Sequence, residues 1–188
     1  MKSRLVWKII FALALLCSGV TFSFAETAEL TTENRVLGIE LPTKVSFIVQ
    51  KFGKPHKIKV PTKAALEGNP EGQWFRWRLK QGTGIFSVLG DEYSTTPNYG
   101  ANVRFVQYMA VGKTETKTIY GFKLNKTLRR EVKQKFGGRA TACIGNYKTR
   151  HQDVLKLVES EQFTYFFFSP SGHLVGVAQS TFDMDIAG

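Results

Sequence analysis

The sequence has 188 residues, with 26 lysines and arginines against 15 acidic residues and a formal net charge of +11. Its hydrophobic fraction of 43% is too high for a disordered chain, and two cysteines are too few for a disulfide scaffold or a multi-cysteine zinc module. The length fits one domain or two small units.

Residues 1–25 are typical of a secretory signal. A basic start precedes an apolar run from Ile9 to Leu16, and small residues follow up to Ala25, after which we expect cleavage. We therefore expect a periplasmic or secreted protein. Because the segment carries three basic and no acidic side chains, its removal would lower the net charge from +11 to +8. Residues 26–35 are polar and are expected to form a flexible lead.

One pattern occurs twice in the chain. Gly38 and Gly121 lie in short entry segments, and the run Gln-Lys-Phe-Gly ends at Gly53 in the first copy and at Gly137 in the second. Apolar residues between these points have helical spacing and predict one helix per copy. They are Val45, Val49 and Phe52 in the first copy and Leu128, Val132 and Phe136 in the second. Thr43 and Asn125 are expected to be the helix N-caps.

Strand-like segments follow each predicted helix. They are His56–Val60, Gln73–Gln81, Ile85–Leu89 and Asn102–Val111 in the first copy, and Arg139–Ile144, Phe163–Ser169 and Leu174–Thr181 in the second. The run Asp153–Ser160 fits either a strand or a short helix. We therefore predict an α+β fold of two tandem helix-plus-antiparallel-sheet units, residues 36–112 and 113–188, with the helices packed on one sheet face.

The entry segments, the helices that end in Phe-Gly and the closing run Phe-Phe-Ser-Pro-Ser-Gly-His-Leu-Val-Gly-Val resemble the BamE (SmpA–OmlA) superfamily. The pattern especially resembles the tandem form of this superfamily, the fold of the beta-lactamase-inhibitor proteins (BLIP), and it covers most of residues 36–185. The resemblance implies exported modules that bind other proteins through the sheet face opposite the helices. The chain departs from the family pattern, since Gly38 and Gly121 lack the following Met-Thr and the lipobox and disulfides are missing. No inhibitory target is therefore carried over.

The strongest candidate binding surface is one side of a predicted strand. Alternation places Trp74, Arg76, Arg78 and Lys80 on one side, with Phe75, Trp77 and Leu79 on the other. The same alternation in the next long strand places Arg104 and Tyr108 on one side. Arginine and aromatic residues are enriched where proteins bind each other, so we expect this aromatic and basic face to contact an envelope or secreted protein. The open alternative is that the aromatic residues pack the two units together.

A second candidate surface lies on the second helix. Lys126, Arg129, Arg130 and Lys133 have the spacing i, i+3, i+4 and i+7 and would form one basic stripe opposite the apolar side. Such a stripe fits a solvated outer face, or contact with an anionic lipid, lipopolysaccharide or wall polymer.

Residues that would indicate catalysis or a cofactor are scarce. No HExxH, GxSxG, SxxK or P-loop motif occurs, so we expect a non-enzymatic protein without a cofactor or metal. His151 and Asp153 could supply two metal ligands, but the pattern favours a surface histidine near a solvated aspartate. Export removes the obvious nucleic acid target of a basic protein, so no nucleic acid partner is expected. Cys143 lies in an apolar run and is expected to be a buried, inert thiol.

Overall fold

The computed structural model of the chain describes residues 31–32, 34–63, 72–79, 84–112, 118–143 and 153–184. The expected signal of residues 1–25 lies outside these residues, as do Lys80 and His151. Among the described residues, no helix is both long enough and apolar enough to span a membrane.

The described residues form two helices and a large antiparallel sheet, so the predicted α+β class is confirmed. Helix α1 is Val45–Phe52 and helix α2 is Arg129–Phe136. The strands are β1 Thr31–Thr32, β2 Arg35–Val36, β3 Thr43–Lys44, β4 Lys57–Lys59, β5 Gln73–Arg78, β6 Gly84–Gly90, β7 Asn102–Ala110, β8 Ala140–Ala142, β9 Asp153–Glu159, β10 Gln162–Phe168 and β11 Leu174–Ser180. The ambiguous run Asp153–Ser160 is therefore a strand up to Glu159.

The strand order divides the sheet into two halves. The order is β4-β5-β6-β7-β11-β10-β9-β8, with β3 also paired to β7 and with β1 and β2 forming a separate pair. We call α1 with β4–β7 the first half and α2 with β8–β11 the second half. The halves meet where β7 pairs with β11, from Met109 opposite Gly176 to Phe105 opposite Ser180. The last strand of each half therefore lies at the centre of the sheet, and we call this pairing the central seam.

The main core lies on one face of the sheet. Val45 and Ile48 of α1 belong to the same cluster of buried side chains as Val132 and Phe136 of α2. Sheet residues complete this cluster, among them Phe75, Trp77, Val106, Leu155, Phe166 and Val177. A second, smaller cluster contains Phe105, Tyr165 and Phe167, whose positions alternate with those of the main core. We call the face that carries this second cluster the outer face.

Both helices begin two or more residues after the predicted caps, so the prediction of Thr43 and Asn125 as N-caps was wrong. The first helical amide of α1, at Val45, donates to the carbonyl of Ala101 at 3.1 Å, and that of α2, at Arg129, donates to the carbonyl of Gly172 at 2.9 Å. Backbone acceptors from distant loops thus satisfy one of the amides that the first turn of each helix leaves without an intrahelical partner.

The entry segments of the two halves share one unusual feature. Leu37 and Tyr120 have positive φ angles of 57° and 58°, and in each case a glycine with positive φ follows. A helix lysine then donates to the carbonyl at this turn, from Lys51 to Leu37 at 3.1 Å and from Lys135 to Tyr120 at 2.7 Å. The same turn is therefore held by the same contact in both halves.

The end of the expected flexible lead is attached to the sheet. Strand β1 pairs with β2, and the Val36 amide donates to Gln179 Oε1 at 2.8 Å. The Gln179 side-chain nitrogen donates in turn to the carbonyl of Asn34. Strands β1 and β2 therefore form a short antiparallel pair joined to β11.

Candidate partner-binding face

Strand β5 has one buried side and one accessible side, as predicted. Phe75 and Trp77 are buried in the main core. Trp74 is half-buried, and Arg76 and Arg78 are exposed on the outer face. The alternation predicted for Trp74, Arg76 and Arg78 is confirmed, because six consecutive residues of the strand keep strict period two.

Strand β4 adds two further cations to the same side of the sheet. Lys57 lies directly opposite Arg76, and Lys59 lies directly opposite Trp74. Side chains of directly paired residues share a face, so Lys57 and Arg76 point the same way. We call Lys57, Lys59, Arg76 and Arg78 the basic ladder. Like charges directly opposite each other destabilise a sheet, so the Lys57–Arg76 pair opposes folding.

The sequence reasoning missed the lysines of the basic ladder. Lys57-Ile58-Lys59 alternates in the manner of a half-buried strand, and Ile58 packs against the main core. The predicted strand His56–Val60 contains β4, but alternation within a strand does not state which strand is its neighbour.

Aromatic and aliphatic side chains of the outer face lie between the basic ladder and the central seam. The rings of Trp74 and Phe105 lie edge to face with their centroids 5.5 Å apart. Leu89 packs beside them in the second cluster, directly between Trp74 and Phe105 in the pairing register. Phe105 is buried, so Trp74 is the accessible member of this aromatic pair.

Tyr108 does not lie on this face, and its prediction as a partner-binding residue was wrong. Leu89 pairs with Phe105 but Gly90 pairs with Val103, so β7 contains an extra residue at Arg104. This bulge reverses the alternation after it. Tyr108 is therefore 1% exposed in the main core, and its ring lies so close to Gly84 that a Cβ there would be 2.4 Å from it.

Arg104 stays on the outer face as predicted. It is exposed, and its guanidinium lies 5.0 Å from the centre of the Phe182 ring, a cation–π contact. The Arg104 carbonyl also accepts from the Thr181 amide at 3.0 Å. Arg104 is thus tied to the residues that follow β11.

Those residues cover part of the outer face in the second half. Asp183 forms an ion pair with Lys156 at 2.8 Å and accepts a hydrogen bond from the Tyr165 hydroxyl at 3.1 Å. The Tyr165 hydroxyl also accepts from the Met184 amide at 2.8 Å. We call residues 181–184 the C-terminal strap. Together with the strap, Tyr165 and Phe167 of the second half are buried, whereas Arg76 and Arg78 of the first half are exposed and Trp74 is half-buried.

The basic stripe on the second helix is shorter than predicted. Helix α2 begins at Arg129, so Lys126 lies in the preceding turn. Arg129 forms an ion pair with Asp153 of β9, so its charge is neutralised within the protein. Arg130 and Lys133 are exposed on α2. The predicted four-residue stripe therefore reduces to these two helix cations with Lys126 beside them.

Other titratable groups do not form a site within the described residues. No group of three or more His, Cys, Asp or Glu side chains that could hold a metal ion occurs there. Cys143, predicted to be buried, is half-buried. The Tyr120 hydroxyl donates to Glu159 at 2.5 Å, and burial, with this hydrogen bond to Glu159 as the next cause, raises the pKa of Tyr120 well above its usual range.

Comparison with known proteins shows a similar fold and no closer relationship. No known protein-family profile matches the chain, and no curated protein matches it by sequence. A DUF4309 family protein (YjgB) of Bacillus subtilis has a similar structure, with a TM-score of 0.51 and 9% identity over 73% of this chain and 78% of that one. An extracellular protein of Bacillus anthracis that contains an SCP domain gives a TM-score of 0.49 and 11% identity over 83% of this chain and 49% of that one.

A cysteine-rich secretory protein of Staphylococcus aureus (SAV1118) gives a TM-score of 0.38 and 8% identity over 74% of this chain and 44% of that one. None of these three proteins is described as a BamE or BLIP module, so the resemblance to that superfamily stays a prediction. At these identities the similarity concerns the fold alone.

Proposed function

We propose that this protein is an exported, non-enzymatic binding protein that contacts a partner protein through the outer face of its first half. The contact surface consists of Trp74, Arg76 and Arg78 with Arg104 beside them. The N-terminal segment of residues 1–25 supports export, to the periplasm or the exterior.

The observation that carries this proposal is the pairing of Arg76 with Lys57 beside an accessible tryptophan. Two cations face each other across neighbouring strands, which opposes folding, and both are exposed. Trp74 offers a large, partly exposed ring next to them. Arginine and tryptophan are the residue types that most often dominate binding energy between proteins. A surface that weakens the fold and has this composition is explained by contact with another molecule.

We further propose that the two halves are related units, each made of one helix and four strands. The shared positive-φ turn, the corresponding lysine contacts and the matching first amide of each helix support this. The strand order also supports it, because the final strands of the two halves pair with each other at the centre.

A capture experiment tests the proposed binding face. The tagged protein is used to retain partners from an envelope or secreted fraction, alongside the double variant Trp74→Ala/Arg76→Ala. We expect a specific band to be lost with this variant and kept with the matched control Arg130→Gln/Lys133→Gln on α2. A band that both variants retain equally would exclude this face.

A second candidate function is contact with an anionic lipid, lipopolysaccharide or wall polymer through α2. The exposed cations Arg130 and Lys133, with Lys126 beside them, support it, but the pairing of Arg129 with Asp153 weakens it. Binding of this kind falls steeply with salt, because exposed charges are screened beyond about 10 Å at 0.1 M ionic strength. Cosedimentation with anionic vesicles at low and high salt, using Arg130→Gln/Lys133→Gln, tests this alternative.

A further inference from the structure

We propose that the basic ladder binds an extended, acidic segment of the partner protein, with carboxylates at alternate positions and an aromatic residue against Trp74. This inference rests on the proposed function and adds the chemistry of the partner. It follows from how the C-terminal strap binds to the other half of the same face.

The strap shows which kind of segment this face holds. Its Asp183 carboxylate reaches the Lys156 ammonium at 2.8 Å, and the Phe182 ring next to it lies under the Arg104 guanidinium. Lys156 belongs to β9 and points to the outer face beside Tyr165, with which it is directly paired. An acidic residue next to an aromatic residue is therefore held by one cation from the sheet and one from the bulge.

Arg76 has the position in the first half that Lys156 has in the second. A single row of directly paired residues crosses the sheet: Lys57, Arg76, Ser87, Gln107, Ala178, Tyr165, Lys156 and Thr141. The row is symmetric about the central seam, because Arg76 and Lys156 are each the third residue from it. The strap contacts Lys156 on one side of the seam, and Arg76 at the corresponding place on the other side is exposed.

The spacing of the ladder selects an extended ligand. Arg76 and Arg78 are two residues apart on one strand, which places their Cα atoms about 7 Å apart on the same face. Alternate side chains of an extended peptide have this same repeat. Lys57, directly opposite Arg76, adds a second cation at one of the two positions. Carboxylates two residues apart would thus each meet at least one cation.

A partner protein fits these features better than an anionic polymer does. Trp74, in edge-to-face contact with Phe105, is directly opposite Lys59 and so shares the face of the ladder. An aromatic side chain has a partner there, whereas a polymer that presents only charge leaves this ring unused. The strap combines a carboxylate with a phenyl ring in the same way.

Fluorescence anisotropy with the labelled synthetic peptide Asp-Ser-Asp-Ser-Tyr-Ser-Asp-Ser-Asp, which carries its tyrosine and aspartates at alternate positions and therefore on one side when extended, tests the inference on the purified exported protein. We expect binding, and an affinity about tenfold lower for the double variant Arg76→Glu/Arg78→Glu, because the variant places glutamates against the carboxylates of the peptide. A tenfold loss corresponds to about 1.4 kcal/mol. The matched control Arg130→Glu/Lys133→Glu changes the net charge equally and should alter the affinity by less than twofold. A peptide with asparagine for aspartate should bind at least tenfold more weakly.

Three outcomes would overturn the inference. Equal weakening by both double variants would mean that only net charge matters, and equal binding of the asparagine peptide would remove the role of the carboxylates. Phosphatidylglycerol vesicles that bind in an Arg76-dependent way, where the peptide does not bind, would assign the ladder to anionic lipid. If the peptide does not bind but a captured protein depends on Trp74 and Arg76, the proposed function stands and only this inference fails.

Discussion

Corresponding positions in the two halves of the sheet have opposite environments. Lys156 in the second half has a side chain that is 15% exposed and is paired with Asp183. Arg76 in the first half is exposed and faces another cation, Lys57. The ion pair of Lys156 thus stabilises the fold, whereas the charge of Arg76 opposes folding. We infer that the C-terminal strap covers the outer face of the second half, whereas the outer face of the first half is available to a partner.

The largest expected effect tests whether the halves fold as one unit. Phe166 is fully buried in the second half, with the rings of Phe122 and Phe136 5.8 and 5.9 Å away. Phe166→Ala should lower the free energy of unfolding by about 3–5 kcal/mol. Trp74 and Trp77 lie in the first half, so urea unfolding followed by tryptophan fluorescence reports on the half that is not mutated.

If the sheet is cooperative across the central seam, the fluorescence midpoint shifts together with the circular dichroism midpoint. The control Phe47→Ala, at a position that is 61% exposed on α1, should change stability by no more than about 0.5 kcal/mol. A circular dichroism transition that moves while the fluorescence transition stays would show that the halves unfold separately.

The next effect concerns the C-terminal strap. Asp183→Ala removes the partner of Lys156 and an acceptor for the Tyr165 hydroxyl, and should cost about 1–3 kcal/mol because a largely buried cation loses its counterion. Thermal unfolding measures this loss. The double variant Lys156→Met/Asp183→Leu should recover most of the lost stability. If Asp183→Ala is as stable as the parent protein, the ion pair with Lys156 does not hold the strap.

A smaller effect of opposite sign is expected in the first half. Arg76→Gln removes the charge opposite Lys57 and should raise the free energy of unfolding by about 0.2–1 kcal/mol. The gain should vanish in 1 M salt, where the screening length is about 3 Å. Lys54→Gln, which removes one exposed charge from a loop, is the control. A loss of stability on Arg76→Gln would contradict the view that this position serves binding at a cost to the fold.

The smallest effect appears only in alkali and concerns Tyr120. Burial and the hydrogen bond to Glu159 raise its pKa in the folded protein, whereas in the unfolded chain the group ionises near pH 10. Above about pH 10 the unfolded chain therefore loses a proton that the folded protein keeps, so stability falls as pH rises. Tyr120→Phe should flatten this decline in urea unfolding between pH 9 and 11, and an unchanged slope would contradict it.

Much of the local structure was predictable because it depends on neighbours in sequence. The helices, the accessible side of β5 and the opposed sides of β10 follow from periodicity, which a single strand or helix imposes on its own residues. Phe163, Tyr165 and Phe167 lie on one face and Phe166 and Phe168 on the other, as alternation predicts.

The errors arose where distant contacts decide. The bulge at Arg104 arises from the pairing with β6 and moves Tyr108 into the core. The pairing of Arg129 with Asp153 joins residues 24 positions apart, and the strap covers Tyr165 from beyond the last strand. Lys57 belongs to the candidate site only because β4 pairs with β5, which places Lys57 opposite Arg76. Periodicity within a segment does not state which distant residues pair. The accessible side of β5 was therefore predictable, whereas the residues that neighbouring strands add to that face were not.

The central seam has a consequence for the history of the chain. A single unit of one helix and four strands would end in β7 with one edge unpaired, and such an edge associates readily with another copy. Two copies that met through this strand would form a symmetric dimer, in which every change in one copy also occurs in the other. If the halves are related, as we propose, their joining in one polypeptide removed that constraint. One half could then gain an acidic strap while the other gained arginines in the corresponding place.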